Sequence, residues 1–143
     1  MKRASIIIML VAFLVMGCQT SDSTESGAVT PGVEVSVQGG SYHDVSVSEL
    51  EGMLENKDFV FVNVHIPFEG DIHDTDLSIP YDEIESHLDE LPADKDAKIV
   101  LYCRSDRMSN IAAEKLVSLG YTNIWNLDGG FSAWEAQGLP VER

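Results

Sequence analysis

The sequence predicts an α/β domain built on a mainly parallel sheet, and three observations predict it. Residues 59–64 and 99–102 are short β-branched and aromatic runs without polar alternation, the pattern of strands buried on both faces. Stretches with apolar residues at helical spacing lie between and after these runs. Residues 121–127 add a third strand, followed by a Gly-rich turn and a short helical stretch. In such sheets the site lies beyond the carboxyl ends of the strands.

The first 17 residues stand apart from that domain. Lys2 and Arg3 form a basic start, and the apolar run 4–16 is shorter than the ~20 residues a helix needs to cross a bilayer. Gly17-Cys18 follows. The order resembles a bacterial lipoprotein signal, in which the cysteine becomes the acylated first residue of the mature chain. The resemblance implies lipidation of Cys18 and an exported protein held at a membrane by its lipid anchor, facing the periplasm or the cell exterior.

Residues 18–41 are rich in Ser, Thr, Gly and acid, and are expected as a flexible tether. Within them Val33, Val35 and Val37 alternate with polar residues, as in a short edge strand. The folded domain is expected over 42–143. Ser46-Val47-Ser48-Glu49 fits a capping box, with Val45 and Leu50 placed as a hydrophobic staple, so a helix is predicted over 47–55. Strand 59–64 follows. Residues 65–80 are irregular, with Pro67, Gly70 and several Asp. Ile84, Leu88 and Leu91 predict a helix within 80–91, before Pro92. Strand 99–102 leads into a polar loop, then a helix over 110–119 stopped by Gly120. After strand 121–127 come the turn Asp128-Gly129-Gly130 and a helix over 131–137, ended by Gly138 and followed by Pro140.

Cys103 stands at the end of strand 99–102, ahead of a helix start. Free N–H groups of a first helical turn and the helix dipole both favour thiolate there, and thiolate is the nucleophile. Arg104 and Arg107 add positive charge. Among two cysteines, lipidation of Cys18 would leave Cys103 unpaired, and no CxxC pair exists for a zinc ribbon or a thioredoxin-type dithiol. His43, His65, His73 and His87 show no metal-ligand spacing; neither metal nor cofactor is expected. His65 follows a strand end beside the expected cleft. Trp125 and Trp134 are expected in the core.

The formal charge is −15, from 9 Lys and Arg against 24 Asp and Glu, and loss of the leader would remove only basic residues. Such a balance argues against nucleic acid as a partner.

These pieces, in order, resemble the single-domain rhodanese-like sulfurtransferases. The resemblance runs from about residue 45 to 141. It rests on Phe61-Val62-Asn63-Val64, on Ser78-Ile79-Pro80, on Ile99-Val100-Leu101-Tyr102-Cys103-Arg104-Ser105 with its following helix, and on Gly120-Tyr121 through Leu127-Asp128-Gly129-Gly130 to Ala133-Trp134. It implies a three-layer α/β/α domain. It also implies transfer of sulfane sulfur from a donor such as thiosulfate to a thiol or cyanide, through a persulfide on Cys103. The loop Arg104, Ser105, Asp106, Arg107, Met108 and Ser109 is implied to bind substrate, its N–H groups aimed at the outer sulfur. Three departures stand out: Asn63 and His65 replace the family's Asp and Arg, and Asp106 stands where Gly is frequent. Asp106 is expected to pair with Arg104 or Arg107 and to oppose an anionic donor. Two other readings stay open. A phosphatase or arsenate reductase would need Cys-x5-Arg, whose closing position holds Ser109 instead. A binding or redox-sensing module would use the fold without turnover.

Overall fold

The structure is a computed structural model and describes residues 32–143. The leader, Cys18 and the remaining residues up to 31 lie outside the described residues. The chain forms β1 (Val33–Val37), β2 (Gly40–Val45), α1 (Val47–Glu55), β3 (Val60–Asn63), β4 (Leu77–Ser78), a 3-10 turn (Ile84–His87), β5 (Ile99–Tyr102), α2 (Arg107–Ser118), β6 (Ile124–Leu127) and α3 (Gly130–Ala136). One six-stranded sheet runs in the order β1-β2-β6-β5-β3-β4. Within this sheet only β1 and β2 pair antiparallel and the other strand pairs are parallel; outside it, an isolated antiparallel bridge joins Asp71 and Glu142.

The uninterrupted apolar runs are buried on both sides, as strands of a central sheet must be. Along β5, Ile99 and Leu101 join the cluster under α2, with Ala112, Ala113 and Leu116. Val100 and Tyr102 point to the other cluster, with Leu50 of α1 and Phe131 and Trp134 of α3. Helices thus cover both faces and make three layers. Trp125 and Trp134 lie in the second cluster.

Helix α1 starts as its sequence dictates. Ser46 Oγ accepts from the Glu49 N–H, and Glu49 Oε2 accepts from the Ser46 N–H at 2.8 Å. Val45 and Leu50 are fully buried at the two staple positions.

Two expectations are corrected. The edge strand expected from Val33, Val35 and Val37 is present, and it makes residues 33–41 part of the folded domain rather than of the tether. The Val33–Val37 strand pairs in full register with Gly40–Asp44, and Val35 and Val37 pack on the core beneath α2. Gly39, at φ +98°, makes the reversal between the two strands. No helix spans 80–91. Ile84 and Leu91 are buried as their spacing predicts, but Glu83, Ser86 and Glu90 donate to Pro80, Glu83 and His87, three residues back. The segment is a series of tight turns, closed at both ends by prolines and crowded with acid.

Candidate active site

The carboxyl end of β5 delivers Cys103 to the point where α2 begins. Cys103 is 2% exposed. Ser109, fully buried in the first turn of α2, directs its hydroxyl at Cys103 Sγ (3.4 Å) and also lies 3.0 Å from the Asp106 carbonyl. One hydroxyl hydrogen serves these two acceptors. No side chain caps α2, so its first-turn N–H groups are left to the loop and its occupant.

A cavity of about 180 Å³ opens over the thiol, lined by His65, Cys103, Arg104, Ser105, Arg107 and Met108. Arg107 and Ser105 are exposed at its rim. Arg104 is exposed too, and its Nη1 lies 3.4 Å from both Glu69 oxygens. Such an exposed pair contributes at most about 1 kcal/mol, so an anion in the cavity can compete for the guanidinium.

Helix α3 clamps the loop from behind. The Phe131 N–H donates to the Cys103 carbonyl at 2.9 Å, and the Ser132 N–H to the Arg104 carbonyl at 3.0 Å. Gly130 permits this approach, since a Cβ there would lie 2.2 Å from the Cys103 oxygen.

Asp106 departs from expectation. Its carboxylate does not meet either arginine. It accepts from the Gly129 N–H at 2.6 Å, tying the loop to the turn before α3. Its backbone sits at φ +85°, ψ −47°, a strained conformation that Asp tolerates better than most residues. Burial pushes its carboxyl up from the ordinary range; the Gly129 N–H pulls it down, and Asp128 raises it. Asp106 therefore shapes the loop, while Arg104, Ser105, Arg107 and Met108 line the cavity and Ser109 lies beneath it.

The two other departures have structural partners. Asn63, 1% exposed, donates to the Gly70 carbonyl and to Asp71 Oδ1, both at 2.9 Å, and accepts from the His65 N–H at 3.0 Å. It orders the irregular segment that follows β3. The Tyr102 hydroxyl does the same from β5: the Ile72 N–H donates to it, and Asp71 Oδ1 lies at 3.2 Å. His65 is held through Nε2 by Glu69 Oε2 at 2.9 Å, with its ring edge-on to Phe131. Glu69 and Phe131 were not read from sequence as site residues. The His65–Glu69 spacing of four was visible, but in an irregular segment it predicts no contact.

Residues 46–137 match the rhodanese-like domain family. The chain is 35% identical to a sulfurtransferase of Allochromatium vinosum over 99 residues, covering 67% of this chain and 90% of that protein. It is 33% identical to the tRNA uridine(34) hydroxylase of Erwinia tasmaniensis over 68% of this chain, but only 31% of that longer protein. A human single-domain sulfurtransferase shares the fold at a TM-score of 0.59 and 27% identity, covering 66% of this chain and 96% of its own. Fold and matches together define an α/β protein of the sulfurtransferase type. The chain belongs to the rhodanese-like domain family.

Proposed function

We propose that the protein is a sulfurtransferase that carries sulfane sulfur on Cys103. One observation carries the reading: a single nearly buried thiol forms the floor of a cavity rimmed by Arg104 and Arg107, beside an uncapped helix start. Cys103 thiolate attacks the outer sulfur of a donor such as thiosulfate. The donor's S–S bond breaks, its electron pair leaves with sulfite, and Cys103–S–S⁻ remains. Arg104 and Arg107 draw the anionic donor in. The N–H groups at the start of α2 and the Ser109 hydroxyl oppose the charge on sulfur. An acceptor thiol or cyanide then removes the outer sulfur. Mass spectrometry after incubation with thiosulfate is expected to show one added sulfur atom on Cys103, and none in Cys103→Ser. No addition with thiosulfate or with a persulfide donor would refute the reading.

The burial of Cys103 also favours a second reading, a module that holds a persulfide without turnover. Steady-state release of thiocyanate from cyanide, or of persulfide from a thiol, separates the two.

We further propose that Cys18 is lipidated and that the protein works at a membrane surface outside the cytoplasm. The basic, apolar, Gly-Cys order of the leader supports this. Cys18→Ser is expected to move the protein from the membrane to the soluble fraction; retention in the membrane would contradict it.

A further inference from the structure

The loading step proposed above calls on no atom of His65, yet this residue lines the same cavity as Cys103. The side chain is 9% exposed. Glu69 Oε2 lies 2.9 Å from Nε2, and a carboxylate can only accept, so the ring's proton sits on Nε2. The neutral ring then carries its lone pair on Nδ1. That atom is buried and has no hydrogen-bond partner, which is costly for a polar atom unless a bound group supplies the missing hydrogen. The ring is fixed on two sides, by Glu69 and by the edge-on Phe131 ring, while the backbone N–H of His65 donates to Asn63 Oδ1 and holds the chain beneath it. The titratable and charged groups around it are Glu69 on its own segment and Cys103, Arg104 and Arg107 on the loop; α3 packs Phe131 on the ring, and its Glu135, paired with Arg143, shares an adjoining cavity with Glu69 and Arg104.

We propose, resting on the sulfurtransferase reading, that His65 carries the proton of the second half-reaction and that the acceptor is a protonated thiol. A thiolate approaching Cys103–S–S⁻ meets like charge, and moving one proton removes that obstacle. The acceptor R–SH gives its proton to Nδ1 and becomes R–S⁻. The imidazolium passes the proton to the outer sulfur, giving Cys103–S–SH. R–S⁻ attacks that sulfur, the bond to Cys103 breaks, and its electron pair returns to Cys103 as thiolate. R–S–SH leaves, with no net oxidation and no other reactant. Sulfite, which takes the sulfur with no proton transfer, does not need His65.

The test is single turnover of protein preloaded with sulfur, mixed with 2-mercaptoethanol or with sulfite. In His65→Gln the thiol reaction is expected to slow about a hundredfold, the scale of general acid–base catalysis. The sulfite reaction keeps its rate. Free imidazole restores thiol transfer in His65→Ala, and His87→Gln, a surface control, changes neither reaction. Equal slowing with both acceptors would show a merely structural role and overturn the proposal, as would full thiol activity in His65→Gln. If no donor loads Cys103 at all, the sulfurtransferase reading falls and this one with it; if loading succeeds and His65→Gln transfers normally, only this one falls.

Discussion

At Asp106 the backbone strain and the carboxylate's partner belong together. A residue at φ +85° costs about 1–3 kcal/mol and persists only where its surroundings hold it. Here the Gly129 N–H holds it. The carboxyl is raised by burial and by Asp128, so the folded state binds its proton more tightly than the unfolded chain does. The stability tied to that proton is fully present below the ordinary carboxylate range, and is lost as pH rises through the raised value. Asp106→Asn keeps an acceptor for Gly129 and cannot titrate. Thermal unfolding is therefore expected to show Asp106→Asn gaining on the wild type as pH rises from about 4 to 7; a mutant that loses ground to the wild type over that range would contradict this. Asp106→Ala loses the acceptor as well and is expected to cost about 2 kcal/mol in urea melts at neutral pH. The tolerance of Asp for positive φ was legible in the loop sequence. Its partner was not, because Gly129 lies 23 residues on and no local pattern links them.

Among the elements, α3 does more than cover the sheet. Its first N–H groups hold the carbonyls of Cys103 and Arg104, and Gly130 lets the two backbones touch. Gly130→Ala is expected to push α3 off the loop, lowering the unfolding midpoint and speeding native-state alkylation of Cys103. Gly138→Ala makes a useful contrast. It also has positive φ, at +82°, but open space around it, so only the backbone cost of about 1–2 kcal/mol applies. Equal effects of the two substitutions would show that close approach is not what Gly130 provides. The sequence marked both Gly129 and Gly130 as turn residues but hid the second role, which depends on contact with a distant loop. The turns over 80–91 differ from the helix their spacing predicts for a related reason. Burial of Ile84 and Leu91 sets the apolar spacing, and that spacing is the same whether the backbone closes bonds three or four residues back.

For the whole molecule, the fold class was legible because the buried strands carry no alternation. The domain's start was not, because Ser36, Gln38, Gly39, Gly40 and Ser41 have the composition of a linker while forming a hairpin. That hairpin is integral: β2 joins β6 through His43–Val45, and β1 closes the outer edge. A fragment of residues 32–143 is expected to unfold in one cooperative transition. A fragment of 42–143 loses β1 and the start of β2, uncovers Val117 and Tyr121, and should melt lower and aggregate through its bared strand edge. Matching midpoints for the two fragments would show that the hairpin is dispensable.

The order β1-β2-β6-β5-β3-β4 places the last strand of the chain in the interior of the sheet. During synthesis, the β1–β2 hairpin and the β5-β3-β4 group have no edge in common until residues 124–127 arrive to join them. Neither half can seal its apolar faces alone, and the joining contacts span most of the domain, as in the Asn126–Asp44 bond. Folding is thus expected as one late, cooperative closure rather than a stepwise build from the N-terminus. A nascent chain with this topology stays threadable for as long as it is being made.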